Sequence, residues 1–171
     1  AVYKTGVPAS PANLTCDFGA GGYRLPTAAE WEFAARGGSG GTPSTYPGGD
    51  NLDLLGWYAG NSEGGVQPAG GKNANALGLY DLAGNSAEWT WDAPSGNVAE
   101  RFLRGGAWSS GTSACALTAL AGENPALRLD RSGLRLARSV SLALSAALDH
   151  PALAWETGGT SLWFAQKGLT H

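Results

Sequence analysis

The sequence predicts a single loop-rich domain with few long helices. Glycine accounts for 27 of the 171 residues, whereas charged residues make up only 15%. This composition favours a compact chain in which ordered loops dominate, and the length fits one domain with a sizeable core. One segment carries clear helix signals, and two short segments alternate in polarity as strands do. Seven tryptophans and no methionine indicate a core of rigid aromatic rings.

The helix is predicted at residues 28–36. Thr27 is a good N-cap, and Glu30 three residues later completes a capping box. The Gly37-Gly38 pair permits the left-handed backbone that ends a helix. The expected apolar face consists of Trp31, Ala34 and Ala35.

Residues 37–76 are rich in Gly, Ser, Pro and Asn, and we interpret them as an ordered loop. A stretch of this length without regular structure is uncommon inside a domain unless it is packed or functional. Four residues are expected to hold it on the core: Leu54, Leu55, Trp57 and Tyr58. The alternative for this stretch is simple disorder.

The centre of the chain is the stretch 77–92, which combines aromatic, acidic and turn-forming residues. Gly84-Asn85 is a turn dipeptide, because both residues tolerate positive φ. Two interpretations stay open. The turn could anchor buried tryptophans, or the carboxylates of Asp81 and Glu88 could converge with nearby carbonyls on a hard cation such as calcium.

Two strands are expected after this centre, at residues 100–104 and 133–138, because both alternate polar and apolar residues. The segment 109–132 between them shows no period and predicts a loop surface on a scaffold. Residues 139–149 look helical. Trp155 and Trp163 in the last stretch imply packing against another part of the protein.

Charge and composition exclude several functions. The net charge of −3 gives no electrostatic support for nucleic-acid binding. No signal peptide or transmembrane run is visible, and the sequence leaves localisation and oligomeric state undetermined. Cys16 and Cys115 form no metal-binding pattern, and free thiols are favoured over a disulfide between them. His150 and His171 lie far along the chain, so no histidine-based metal centre or triad is expected.

Four segments together resemble a known family: residues 23–38, 75–89, 104–108 and 133–138. They are similar, in order and at matching spacing, to the signatures of the formylglycine-generating enzymes, also called sulfatase-modifying factors. The resemblance covers about residues 14–138. It implies an α+β, C-type-lectin-like fold with little regular secondary structure and small twisted sheets. It also implies that part of the N-terminal portion is missing and that residues 139–171 are a C-terminal extension.

The enzymes of this family bind copper through two cysteines that follow a Gly-Gly-Ser-Trp element. The resemblance places those positions at Ser110 and Cys115, so only one is a cysteine. One thiolate cannot supply the two-coordinate soft site that Cu(I) favours. We therefore expect no enzymatic activity, with an enzyme or a degenerate enzyme of the family as the alternative.

Residues 104–138 also resemble, without a gap, the variable region of the variable proteins of diversity-generating retroelements. Cys115, Pro125, Arg128 and Gly133 fall on its fixed positions. Adenine-directed mutagenesis of AAC codons would produce thirteen of the fourteen residues at its variable positions, and Glu123 is the exception. The fourteen positions are Ser109, Ser110, Gly111, Ala114, Ala119, Ala121, Gly122, Glu123, Asn124, Leu127, Leu129, Asp130, Arg131 and Ser132. The alternative for 109–132 is an ordinary surface loop.

The resemblance implies a ligand-display protein that binds a variable macromolecular partner, in our interpretation a protein, through a rather apolar and weakly charged patch. The scaffold's stability is expected to reside in the turn glycines and in Trp31, Trp57, Trp89, Trp91 and Trp108. No cofactor is required, but one structural calcium is implied at Asp81, Leu82, Gly84, Ser86 and Glu88. A third interpretation is a calcium-dependent glycan-binding lectin, although Glu123-Asn124-Pro125 has the wrong order for the sugar-binding tripeptide of such proteins.

Overall fold

The computed structural model describes residues 15–95, 97 and 99–139 and the backbone of residues 161–163. This part of the chain holds two α-helices, α1 (Ala28–Ala35) and α2 (Leu52–Leu55), and two 3-10 helices, Gly38–Gly40 and Thr112–Cys115. Its strands are β1 (Gly22–Arg24), β2 (Gly56–Trp57), β3 (Ala83–Gly84), β4 (Ala87–Trp89), β5 (Arg101–Arg104), β6 (Ala121–Glu123), β7 (Ser132–Leu134), β8 (Ala137–Ser139) and β9 (Ser161–Trp163).

The strands form three small sheets. The largest has the order β6-β5-β4-β7, in which β4 is antiparallel to β5 and parallel to β7. A second sheet has the antiparallel order β1-β8-β9, and a third consists of the parallel pair β2 and β3. Short strands joined by long ordered connections are what the glycine-rich composition predicts.

Helix α1 forms as the capping signals predict. The Thr27 side chain accepts a hydrogen bond from the backbone of Glu30, and the Glu30 side chain accepts one from the backbone of Thr27. The helix ends one residue early, because Arg36 is its C-cap, and Gly37 follows with a φ of 93°. Asn75 closes this end by donating from Nδ2 to the carbonyl of Ala34 over 2.7 Å.

The main core surrounds Trp31, which is fully buried together with Ala34 and Ala35. Leu79, Leu82 and Leu117 complete this cluster. Of the five tryptophans in which the scaffold's stability is expected to reside, Trp31 is the one that is fully buried. The other four, Trp57, Trp89, Trp91 and Trp108, are half-buried.

Several local predictions need correction. The predicted strand 133–138 is two strands in different sheets. The strand is interrupted at Arg135, whose side chain turns inward to Glu88. The segment 109–132 holds a 3-10 helix and β6 as well as loops. The predicted helix at 139–149 lies outside the described residues, except for Ser139, which ends β8. In the last stretch, β9 pairs with β8.

The stretch 37–76 is an ordered loop as predicted, although α2 and β2 interrupt it. Leu55 is buried and Tyr58 packs against the core. Leu54 was assigned to the core wrongly, since its side chain is 55% exposed. The helix α2 is only one turn long, so Leu52 and Leu55 share its inner face and Leu54 points outward.

Candidate ligand-binding face

We call residues 109–132 the candidate face. It starts directly after Trp108, runs through the 3-10 helix Thr112–Cys115 and the edge strand β6, and ends at β7. It begins shortly after β5, contributes β6 to the four-stranded sheet and ends in β7, so the sheet holds it at β6 and at its C-terminal end.

Exposure separates two kinds of residue within the candidate face. None of the fourteen predicted variable positions is buried: nine are exposed and five are half-buried. The buried residues of the segment are Cys115 and Leu117, with exposed fractions of 0% and 1%, and neither is among the fourteen. The fully buried side chains of the segment thus lie outside the predicted variable set.

Arg104 fastens the candidate face to helix α1. Its guanidinium donates to the carbonyls of Leu117 over 2.7 Å and Ala119 over 3.0 Å, and to Glu32 Oε2 over 2.8 Å. It also stacks over Trp31, with 4.8 Å from Cζ to the ring centroid. Burial lowers the pKa of Arg104, and the hydrogen bond to Glu32 opposes this effect. Ala119 contributes only its backbone carbonyl, so this anchor does not depend on the side chain at that position.

Cys115 attaches the candidate face to the core through its buried side chain. It packs against Leu52 and Ala83 and forms no disulfide, as predicted for both cysteines. Burial raises the pKa of its thiol to about 11. A thiol in this environment stays protonated near neutral pH and is a poor nucleophile and metal ligand.

Two predicted variable side chains contact the scaffold, and two others contact each other. Leu129 packs against the cluster formed by Ala87, Leu103 and Ala107. The Ser110 hydroxyl accepts a hydrogen bond from the Ala107 backbone over 3.0 Å. Glu123 accepts one from Arg131 over 3.4 Å. The first two contacts make their positions less free than the exposed ones.

The Gly84-Asn85 turn adopts positive φ at both residues, 71° and 60°, as predicted. A side chain at Gly84 would place its Cβ 2.0 Å from the Trp57 carbonyl oxygen. Asn85 joins the surrounding loops, because its backbone donates to the Trp57 carbonyl over 2.6 Å and accepts from the Trp108 backbone over 2.9 Å. Its side chain exchanges hydrogen bonds with the backbone of Gln67.

The two predicted calcium carboxylates have different surroundings. Glu88 is buried, and Arg135 Nη2 donates to its Oε1 over 2.7 Å, while Trp31 Nε1 donates to its Oε2 over 2.6 Å. Both Glu88 oxygens therefore already accept hydrogen bonds from protein groups. Asp81 accepts a hydrogen bond from Gly70 through Oδ2, but its buried Oδ1 has no hydrogen-bond partner.

Calcium therefore stays a prediction, with Asp81 as the better placed of the two acidic residues. Calcium takes six to eight oxygen ligands, and a single free carboxylate oxygen is a small part of such a set. Within the described residues, no group of three or more His, Cys, Asp or Glu side chains lies close enough to hold a metal ion. A calcium-dependent rise in melting temperature that Asp81→Asn abolishes would support this site.

Comparison with known proteins decides the family. Residues 7–140 match the Sulfatase-modifying factor enzyme 1-like domain. The chain belongs to this family. The predicted α+β, C-type-lectin-like fold of the formylglycine-generating type is thereby confirmed. In the part of the chain that the structure describes, no helix has the length and apolar character needed to cross a membrane.

Relatives in the family differ in what their names describe. The chain is 39% identical over 118 residues to "Chaperone protein LppX" of Paenibacillus barcinonensis, covering 57% of this chain and 42% of that protein. It is 36% identical over 137 residues to "Inactive C-alpha-formylglycine-generating enzyme 2" of Mus musculus, covering 69% and 44%. Other matches are named as formylglycine-generating enzymes without that qualifier.

Among solved structures, the chain resembles "Treponema denticola variable protein 1" with a TM-score of 0.67 and 34% identity. The superposition covers 73% of this chain and 50% of that one. The resemblance to a variable protein of this fold is confirmed. The chain spans half or less of the length of these three proteins.

Sequence reasoning missed the roles of Arg104, Arg135 and Asn75, although all three stand in the family signatures. Each is a polar residue within or beside an apolar segment, and that pattern alone could have indicated a buried anchor. Their partners lie up to 72 residues away in the chain, as for Arg104 and Glu32. No local pattern identifies such partners.

Proposed function

We propose that this chain is a ligand-display protein whose candidate face is diversified and binds a variable partner, in our interpretation a protein. One observation carries the proposal: the predicted variable positions avoid every buried site between residues 109 and 132. A segment that must accept many substitutions can do so only if the core does not depend on its side chains. The likeness to a variable protein of the same fold supports the same function.

The chemistry of the candidate face suits a partner of low charge. Its exposed variable residues are mainly Ala, Gly, Ser and Leu. The charged residues of the face are Glu123, Arg128, Asp130 and Arg131, whose formal charges cancel, and Glu123 and Arg131 contact each other. Exposed Leu120 and Leu127, each 50% exposed, add apolar area. Since Tyr and Trp anchors are absent from the fourteen positions, affinity must come from area and fit spread over the face.

The alternative function, copper-dependent oxidation of cysteine, has less support. It needs two thiolates, but Ser110 occupies one of the two positions that the resemblance assigns. Cys115, at the other, is buried with a thiol pKa of about 11. A copper titration followed by absorbance would expose this alternative, because a stoichiometric Cu(I) complex at Cys115 would contradict the display proposal.

The direct test of diversification is genetic. The locus should contain a second copy of the codons for residues 104–138 beside a reverse-transcriptase gene. The two copies should differ only where the second carries adenine, and the differences should fall on the fourteen positions. A locus without such a copy would make the candidate face an ordinary loop.

A further inference from the structure

Strand β6 is an edge of the four-stranded sheet. Within the described residues it pairs only with β5, with Gly122 opposite Phe102 and Ala121 opposite Leu103. All three β6 residues belong to the predicted variable set, and Ala121 and Gly122 are exposed. The other edge of β6 is therefore a free strand edge in the middle of the candidate face.

The hydrogen bonds of Phe102 establish the direction of the backbone N–H and C=O groups of Gly122. Phe102 donates to the Asp92 carbonyl and accepts from the Thr90 backbone, both over 2.9 Å, so its polar groups face the β4 side. In an antiparallel pair, residues opposite each other either exchange two hydrogen bonds or both turn away. Gly122 opposite Phe102 is a pair of the second kind. Its N–H and C=O consequently point out from the free edge.

In the side-chain direction of Gly122 lie the Pro94 ring and the Glu100 carboxylate, which would have to shift for a larger residue. A Cβ there would come 3.0 Å from Pro94 Cγ and closer still to the Glu100 carboxylate. By contrast, a Cβ at Gly111, also in the variable set, would meet nothing within 4 Å. Position 122 thus offers a ligand its backbone, whereas position 111 has room for a side chain.

We propose that the candidate face binds its protein ligand by strand addition, in which an extended ligand segment pairs with the free edge of β6 and exchanges two main-chain hydrogen bonds with Gly122. This inference rests on the proposed function and specifies the ligand as an extended polypeptide. In strand addition the main-chain hydrogen bonds supply affinity without requiring particular side chains. They compensate for the missing aromatic anchors. The exposed variable residue Asn124 contributes to specificity, and Leu120 on the other side adds apolar contact.

Hydrogen exchange on the full chain tests the proposal without any variant. Linear peptides are selected from a display library on the immobilised chain, and amide exchange is measured with and without a saturating peptide. The Gly122 amide should exchange fast in the free chain and slow by at least about tenfold in the complex. An unchanged rate at Gly122 with peptide bound elsewhere on the face overturns the proposal, as does failure to select any linear peptide.

A second measurement changes only the peptide. Each amide of the selected peptide is N-methylated in turn, and binding is measured by titration. Methylation should cost about tenfold in affinity at the one peptide residue whose amide donates to the Gly122 carbonyl, and little at its two neighbours, whose amides point away from β6. Uniform sensitivity, or none, would contradict strand pairing. Neither result bears on whether the locus carries the second codon copy, so failure here leaves the display function to its own test.

Discussion

Glu88 and Arg135 form a buried ion pair, with 2.7 Å between Glu88 Oε1 and Arg135 Nη2 and exposed side-chain fractions of 8% and 12%. Trp31 donates to the same carboxylate, and Arg135 also donates to the Tyr80 carbonyl. This network joins helix α1, strand β4 and the chain after β7. The carboxylate that the sequence suggested for calcium thus links the elements around the main core.

Glu88→Gln should lower the free energy of unfolding by about 3–5 kcal/mol, because it leaves the Arg135 guanidinium buried without its counter-charge. The measurement is urea denaturation at neutral pH. The matched control is Glu123→Gln, which removes the partner of Arg131 in a pair with exposed fractions of 27% and 44%. That change should stay within about 1 kcal/mol. Equal effects would mean that Glu88 is no more important than a surface charge.

Arg104→Lys should destabilise the chain by about 2–3 kcal/mol, because an ammonium cannot reach Glu32 and two carbonyls together. The same variant should show faster hydrogen exchange at the backbone amides from Leu117 to Ala121. Arg36→Lys is the matched control, since Arg36 contacts the same Glu32 from a side chain that is 40% exposed. Its cost should be about 0.3–0.5 kcal/mol. If both variants behave alike, Arg104 does not anchor the candidate face.

The burial of Cys115 should make the folded state less stable at alkaline pH. Burial raises its folded pKa to about 11 from an ordinary value of 9.0, so the folded state holds the proton more tightly. The resulting stability is complete below pH 9 and is lost as the pH rises through 11. The loss should reach about 3 kcal/mol over that window. Cys115→Ala should remove this component of the pH dependence, and coinciding slopes for the two proteins would refute it.

The candidate face contains its own matched pair of leucines. Leu129 packs against the cluster of Ala87, Leu103 and Ala107, whereas Leu127 is 50% exposed. Leu129→Ala should cost about 1–2 kcal/mol, and Leu127→Ala should stay within about 0.5 kcal/mol. Thermal unfolding of both variants measures the difference. If Leu127→Ala proves the costlier of the two, the exposed positions are not free of the scaffold.

The elements that the sequence predicted well are those with local causes. The capping box of Thr27 and Glu30 specifies α1, and positive φ at Gly84 and Asn85 follows from their small or turn-forming side chains. Strand β5 begins within one residue of its predicted start. In each case the residues that determine the structure are neighbours in the chain.

What the sequence could not predict depends on distant partners. The strand predicted at 133–138 divides because Arg135 turns toward Glu88, which lies 47 residues away. Strand β6 has no apolar alternation, and it forms because β5 offers it an edge. For the candidate site, the exposed set follows from the resemblance, but the free backbone of Gly122 required the register of β5 and β6.

The pairing of β1 with β8 has a consequence for synthesis. Gly22 lies opposite Ser139, so the first described strand finds its partner 117 residues later. Closing so long a loop before its contacts form is slow, and chains rich in distant contacts fold late. During translation β1 must wait, unpaired, until the entire candidate face has left the ribosome. A changed side chain in that face can therefore lower yield through aggregation of nascent chains even when the finished fold tolerates it.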